Sequence, residues 1–126
     1  MLEPMAEHVP PGWPTQVPPP GSRNWSERAA LWLLDHSPAE YRQYPVMRRH
    51  PVLLVWLAEH NVAAQLDATR RAYGRARAEL AEQVAPQLVT ELLETLEQEG
   101  ARLLTLQREI GLIASALRGE PYVPRL

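Results

Sequence analysis

From Pro51 to Gly119 apolar positions recur at alternating steps of three and four. One set runs Val52, Val55, Glu59, Val62, Leu66, Thr69, Tyr73, Ala76, Leu80 and Gln83. A second opens at Pro86 and runs Val89, Leu92, Leu96, Glu99, Leu103, Leu106, Ile110, Ile113 and Leu117. This spacing puts each set on one stripe of a helix, the two-per-seven seam of coiled-coil packing. The pattern predicts helices over about 51–84 and 86–118, each roughly 50 Å long at ~1.5 Å per residue. Pro51 and Pro86 stand where a missing N–H and a fixed φ suit the first helical turn. With only Ala85-Pro86 between them, the arms are expected to turn tightly and run antiparallel.

Folding the arms at that turn sets opposite one another residues whose numbers sum to about 170. Arg70, Arg71, Arg75 and Arg77 then face the stretch of Glu91, Glu94, Glu97 and Glu99. The expectation is pairing between the arms plus a solvated face, at about 0.2–1 kcal/mol per exposed pair, enough to bias register. Gly74, Gly100 and Gly111 each cost about 1 kcal/mol against Ala inside a helix. The apolar stripe keeps phase across all three, so the arms are expected to be continuous or slightly bent. The register sets Gly100 near Tyr73 and Arg70, where a ring could cover the missing side chain, and Gly111 near Glu59.

Ahead of the arms the pattern changes. Residues 1–22 hold seven of the thirteen prolines and read as an extended, polyproline-like tail. Trp13 is the candidate with which that tail docks on a partner; the competing reading is a plain extension that lies on its own domain or nowhere. Asn24 and Glu27 form a box-like helix start, and Trp25, Ala29, Leu31, Trp32, Leu33 and Leu34 follow on a helix over about 25–36. Ser37-Pro38 ends it and opens a short helix over about 38–43; Tyr44-Pro45 breaks that, and Val46–His50 makes at most one further turn. Pro51–Ala58 is apolar on every side and needs cover all round, for which Ile110–Leu117 and the 25–36 helix are the expected neighbours.

The fold class is therefore all-α: a long antiparallel hairpin with short N-terminal helices packed on its open end. The domains read as a Pro-rich extended tail (1–22), one helical domain (23–119) and an extended C-terminal tail (120–126). Within the domain, a compact base (24–66 and about 104–118) and a polar-faced stalk (67–103) are expected.

A chain of 126 residues with net charge −2 makes one modest core, and nothing global draws it to nucleic acid or anionic membrane. The absence of cysteine excludes disulfides and thiolate chemistry. All thirteen basic residues are Arg, which fits a GC-rich bacterial genome. The start Met1-Leu-Glu-Pro has neither the positive nor the apolar region of a signal peptide, and Pro51–Ala58 is too short to span a bilayer. A cytoplasmic location is expected.

No catalytic constellation emerges. Ser22, Ser26, Ser37 and Ser115 lack a glycine-flanked elbow and an acid–base partner. His8 lies in the tail, His36 at a helix end and His50 in a turn. His60 beside Glu59, near Arg108 and Glu109 by register, is raw material for a metal site, but the Glu-x-x-His spacing that turns two ligands inward is missing. No metal or cofactor is predicted. Arg42, Arg48 and Arg49 beside Tyr41 and Tyr44, with Arg70, Arg71 and Arg75, are the candidate anion or nucleic-acid contacts. Trp25, Trp32, Trp56, Leu93, Leu104 and Leu112 exceed what one seam can bury and are the candidate interface. The sequence thus predicts a non-enzymatic interaction, structural or adaptor protein that binds itself as a homodimer, another protein, or both. The alternative is a nucleic-acid-associated or regulatory protein using the arginines.

Overall fold

The structure, a computed structural model, describes residues 9–119, all of it helix, turn and loop. Residues 1–8 of the predicted N-terminal tail and the predicted C-terminal tail 120–126 lie outside the described residues. Helix α1 is Trp25–Asp35, followed by a 3₁₀ turn at Ala39–Gln43 and the short α2, Pro45–Arg49. Then come α3, Pro51–Leu80, and α4, Pro86–Leu117, of 30 and 32 residues. The two long helices pack closely against each other as a helical hairpin. Both run unbroken through their glycines. A Cβ built at Gly74, Gly100 or Gly111 meets nothing within 4 Å, so no ring covers Gly100.

Two local expectations fail for identifiable reasons. The first arm stops at Leu80, and Ala81–Ala85 forms the connection, with Gln83 and Val84 both donating to the Leu80 carbonyl. Antiparallel helices are commonly joined by loops of about two to five residues, and this connection lies at the long end of that range. Asn24 does not cap α1 with its side chain; it sits in the left-handed region (φ 61°, ψ 17°), which Asn tolerates better than most residues. The α1 entrance is instead held by the main chain, Trp25 N–H donating to Ser22 and Arg28 N–H to Asn24.

The largest departure is at the N-terminus. Residues 9–22 are neither extended nor free of the fold. Three backbone turns follow in succession: Trp13 N–H to Pro10 O (3.0 Å), Val17 N–H to Pro14 O (3.2 Å) and Ser22 N–H to Pro19 O (3.1 Å). Pro10, Trp13, Pro14 and Val17 are buried, and the Trp13 indole N–H donates to the Val17 carbonyl at 2.9 Å. The prolines suit this arrangement, since each turn takes its acceptor from a residue with no N–H to satisfy.

The contacts divide the chain into two units, one taking residues up to His60 and from Arg108 onward, the other Asn61–Gln107. In the first, Trp32, Leu33 and Leu34 of α1 are buried, as are Leu54, Val55 and Ala58 of α3 and Ile110, Ile113 and Ala114 of α4. Trp13 lies 6.1 Å from Trp25, ring centre to ring centre. In the second unit the seam buries Val62, Leu66, Val89, Leu103 and Leu106, and Ala76, Val89 and Leu93 cluster with Leu80 and Leu92 beside them. Among the described residues no polar or charged residue is buried.

Candidate interaction surface

Helix α3 begins in the first unit, at His50-Pro51. The His50 carbonyl accepts from the N–H groups of both Leu53 and Leu54, which closes the first turn. At 100° per residue Leu54, Val55 and Ala58 fall on one side, and all three are buried. Val52, Leu53 and Trp56 fall on the other side, where they are 46%, 47% and 54% exposed. One side of this apolar segment is buried and the opposite one is bare, contrary to the expectation of cover all round. Immediately before it, Tyr44 and Val46 are also exposed.

Trp56 is not a loose ring. His60, one turn on, meets it edge to face with centroids 4.5 Å apart and planes at 66°. Glu59, between them in sequence, accepts from Arg118 at 2.7 Å and is thereby tied to the chain just past α4. That pairing, and the His60–Trp56 contact, separate the residues considered as metal ligands. Among the described residues no three of His, Asp or Glu gather to hold a metal ion.

The other candidate interface residues scatter. Trp32 and Leu93 are buried and do not form an outer face: Trp32 packs inside the first unit with His36 4.6 Å away, and Leu93 lies in the second unit's cluster. Trp25 is half-buried beside Trp13. Leu112 is half-buried and Leu104 exposed. Trp13 is also spent internally, so it is unavailable as a docking residue. The heptad pattern placed Val52 on the seam, where it is instead exposed, and Leu53 was not read as an interface residue, although the all-round apolar run that contains both was visible in the sequence.

The arginines scatter too. Arg42 donates from Nη1 to the Leu34 carbonyl (2.9 Å) and from Nη2 to Asp35, closing the C-terminal end of α1. Arg71 pairs with Asp67 (2.9 Å) and Arg75 with Glu79 (3.8 Å), each one turn away on the same helix. The pairing predicted between the arms is therefore replaced by pairing within them, because an i,i+4 partner is reached without ordering two helices' side chains together. Glu99 likewise turns to Arg102 (3.0 Å), whose hydrogen bond holds its carboxyl below the usual range. Arg70 forms no ion pair among the described residues, and Arg48 and Arg49 are exposed in the last turn of α2 without one.

Among the described residues two concavities stand out. A cleft of about 450 Å³ in the first unit is lined by Gln16, Arg28, Leu31, Trp32, Asp35 and His36. It offers an acid and an imidazole but no hydroxyl, thiol or amine nucleophile, and its Asp35 is engaged by Arg42. A groove of about 340 Å³ in the second unit has a floor of Ala68, Ala72, Ala76, Leu80 and Leu92 beneath the Arg75–Glu79 pair. Among the described residues no helix is long and apolar enough to cross a membrane. Compared with protein-family models, curated proteins and solved structures, the chain has no significant match.

Proposed function

We propose that this protein acts by docking to another protein surface and performs no chemistry of its own. The observation that carries the reading is the grouped exposure of Val52, Leu53 and Trp56 on the side of α3 opposite its buried stripe. Single exposed apolar residues need no explanation, but a group centred on a Trp held in place by a neighbouring ring is the composition of an interface anchor. A fixed ring loses little freedom on binding, which lowers the cost of association. Arg42, Arg71 and Arg75 are engaged locally, which leaves the nucleic-acid reading with fewer free cations than the sequence suggested.

The test separates a docking residue from a structural one. Trp56→Ser is expected to shift unfolding in urea by no more than about 0.5 kcal/mol, as at a surface site. A loss of about 3–5 kcal/mol, usual for a buried Trp, would make Trp56 part of the fold and remove the proposal's foundation. Absolute mass by light scattering, at low and high salt, then identifies the first occupant to consider. A dimer that Trp56→Ser converts to monomer means a second copy; a monomer in both means a different chain.

A further inference from the structure

We infer that the occupant of the Trp56 face is a helix from another protein whose apolar stripe is edged by carboxylates. The inference rests on the docking reading above and adds the partner's chemistry. Its basis is the charge around the face. Arg48 and Arg49 are exposed and form no ion pair among the described residues. Arg49 precedes Val52 by three residues, so their Cα atoms lie at most about 11 Å apart, within the combined reach of the two side chains. Between Tyr44 and His60 the one carboxylate is Glu59, and Arg118 occupies it. Within the stretch Tyr44–His60 the face thus has two cations at its leading edge and no uncommitted acid.

That asymmetry decides among occupants. In an isologous dimer the same patch meets itself, so the mating face would bring further arginines and no free carboxylate. Like charges brought together this way disfavour the contact, whereas an acidic edge steers and favours it. An anionic bilayer would also supply negative charge, but stable surface binding wants a strongly basic helix or several basic residues around a broad apolar face. Here two arginines flank a face about one and a half turns long, on a chain of net charge −2. A helical stripe of Leu or Ile residues matches the ridge of α3 better, by the helix-on-helix packing that amphipathic targets use. So small a face implies a transient complex, with Kd in roughly the micromolar range.

The experiment is selection of displayed, randomised helical peptides on the full-length protein, with winners re-bound to Trp56→Ser and to Arg48→Glu/Arg49→Glu. The expected winners carry apolar residues at i, i+3, i+4 and i+7 with Glu or Asp beside them. Their binding falls about 30-fold or more in Trp56→Ser, the loss of an interface anchor. It falls about tenfold in the double charge reversal, and wild-type binding weakens with salt. Both variants change exposed side chains, and circular dichroism is the check that each remains folded. Winners that need Trp56 but show no acidic bias, or ignore the charge reversal, overturn the inference and leave the docking reading standing. Winners indifferent to Trp56 defeat both. Trp56-dependent binding to phosphatidylserine vesicles, or a dimer abolished by Trp56→Ser, would replace the acidic helix with a membrane or a second copy.

Discussion

In the unit Asn61–Gln107 the buried residues keep to a single two-helix seam, and Arg71 and Arg75 of α3 and the Glu99–Arg102 pair of α4 find partners within a turn. The unit that holds residues up to His60 instead draws on α1, the N-terminal turns and the ends of both long helices, and buries two tryptophans. Yet the grouped apolar exposure lies in this better-supplied first unit. In the thinner one, Val84 and Leu88 are exposed at the connection, Leu104 sixteen positions further along α4, and Tyr73 singly on α3. If bare apolar surface merely reflected too little cover, it would concentrate where there are only two helices. Its presence beside the larger core marks the Trp56 face as a feature with its own use.

The comparison is broken most forcefully at Trp13. If the N-terminal turns belong to the larger core, Trp13→Ala removes a buried ring, its contact with Trp25 and its hydrogen bond to Val17 O. A loss of about 3–5 kcal/mol is expected, read from the urea midpoint with the slope held constant. A change within about 0.5 kcal/mol would mean that residues 9–22 contribute nothing to the core.

Next in size is a matched pair of truncations. Ile113→Ala empties a fully buried site among several elements, and the expected cost lies in the upper part of about 2–5 kcal/mol. Leu93→Ala acts on a narrower seam whose neighbours include half-buried Leu92 and Leu80, so it falls in the lower part of that range. Hydrogen exchange should show the Leu93 change confined mainly to amides of 61–107, because thinly packed regions open locally. Equal costs and equal exchange profiles would erase the distinction between the units.

The glycines test whether both long helices are equally relaxed. Gly74→Ala, Gly100→Ala and Gly111→Ala each have open space for the new methyl and helical backbone around them, so each should gain about 0.4–1 kcal/mol in thermal unfolding. A loss at Gly111 alone would show that α4 is held more tightly in the first unit than in the second.

How much of this was legible depended on which force set each feature. The seam was legible because burial writes a period into the sequence, and Val55, Val62, Leu66, Leu103, Leu106, Ile110 and Ile113 are all buried where the heptads put them. The N-terminal clasp was legible only in part. Proline content argued for extension, while Pro10, Trp13, Pro14 and Val17 fall at i, i+3, i+4 and i+7, the spacing of a one-sided turn series, and all four are buried. Charge pairing was least legible, because exposed pairs are worth so little that a partner within one turn displaces one across the seam. For the candidate face, the apolar run at Pro51–Ala58 was plain, but which side stayed bare depends on where α1 and α4 lie. No periodicity encodes that placement.

The smallest expected effect concerns a side-chain hydrogen bond between the arms that fits the predicted register. The Tyr73 hydroxyl donates to Glu97 Oε1 at 2.9 Å, linking α3 to α4 at a pair whose numbers sum to the predicted 170. That hydrogen bond, followed by the negative charge of Glu97, raises the phenol's pKa above its ordinary value, with Arg77 opposing. A raised folded-state pKa means the contact adds stability below the unfolded-state value and loses it as pH climbs through the folded-state value. The pair therefore acts at neutral pH and fails in alkali. Absorbance at 295 nm should show one tyrosine ionising later in the wild type than in Glu97→Gln, and Tyr73→Phe should remove that late component. The unfolding midpoint at neutral pH should barely move in either variant, because the ring is exposed. A large shift would mean that the thinner unit relies on polar contacts between its helices, and its apolar seam could no longer be held responsible for its stability.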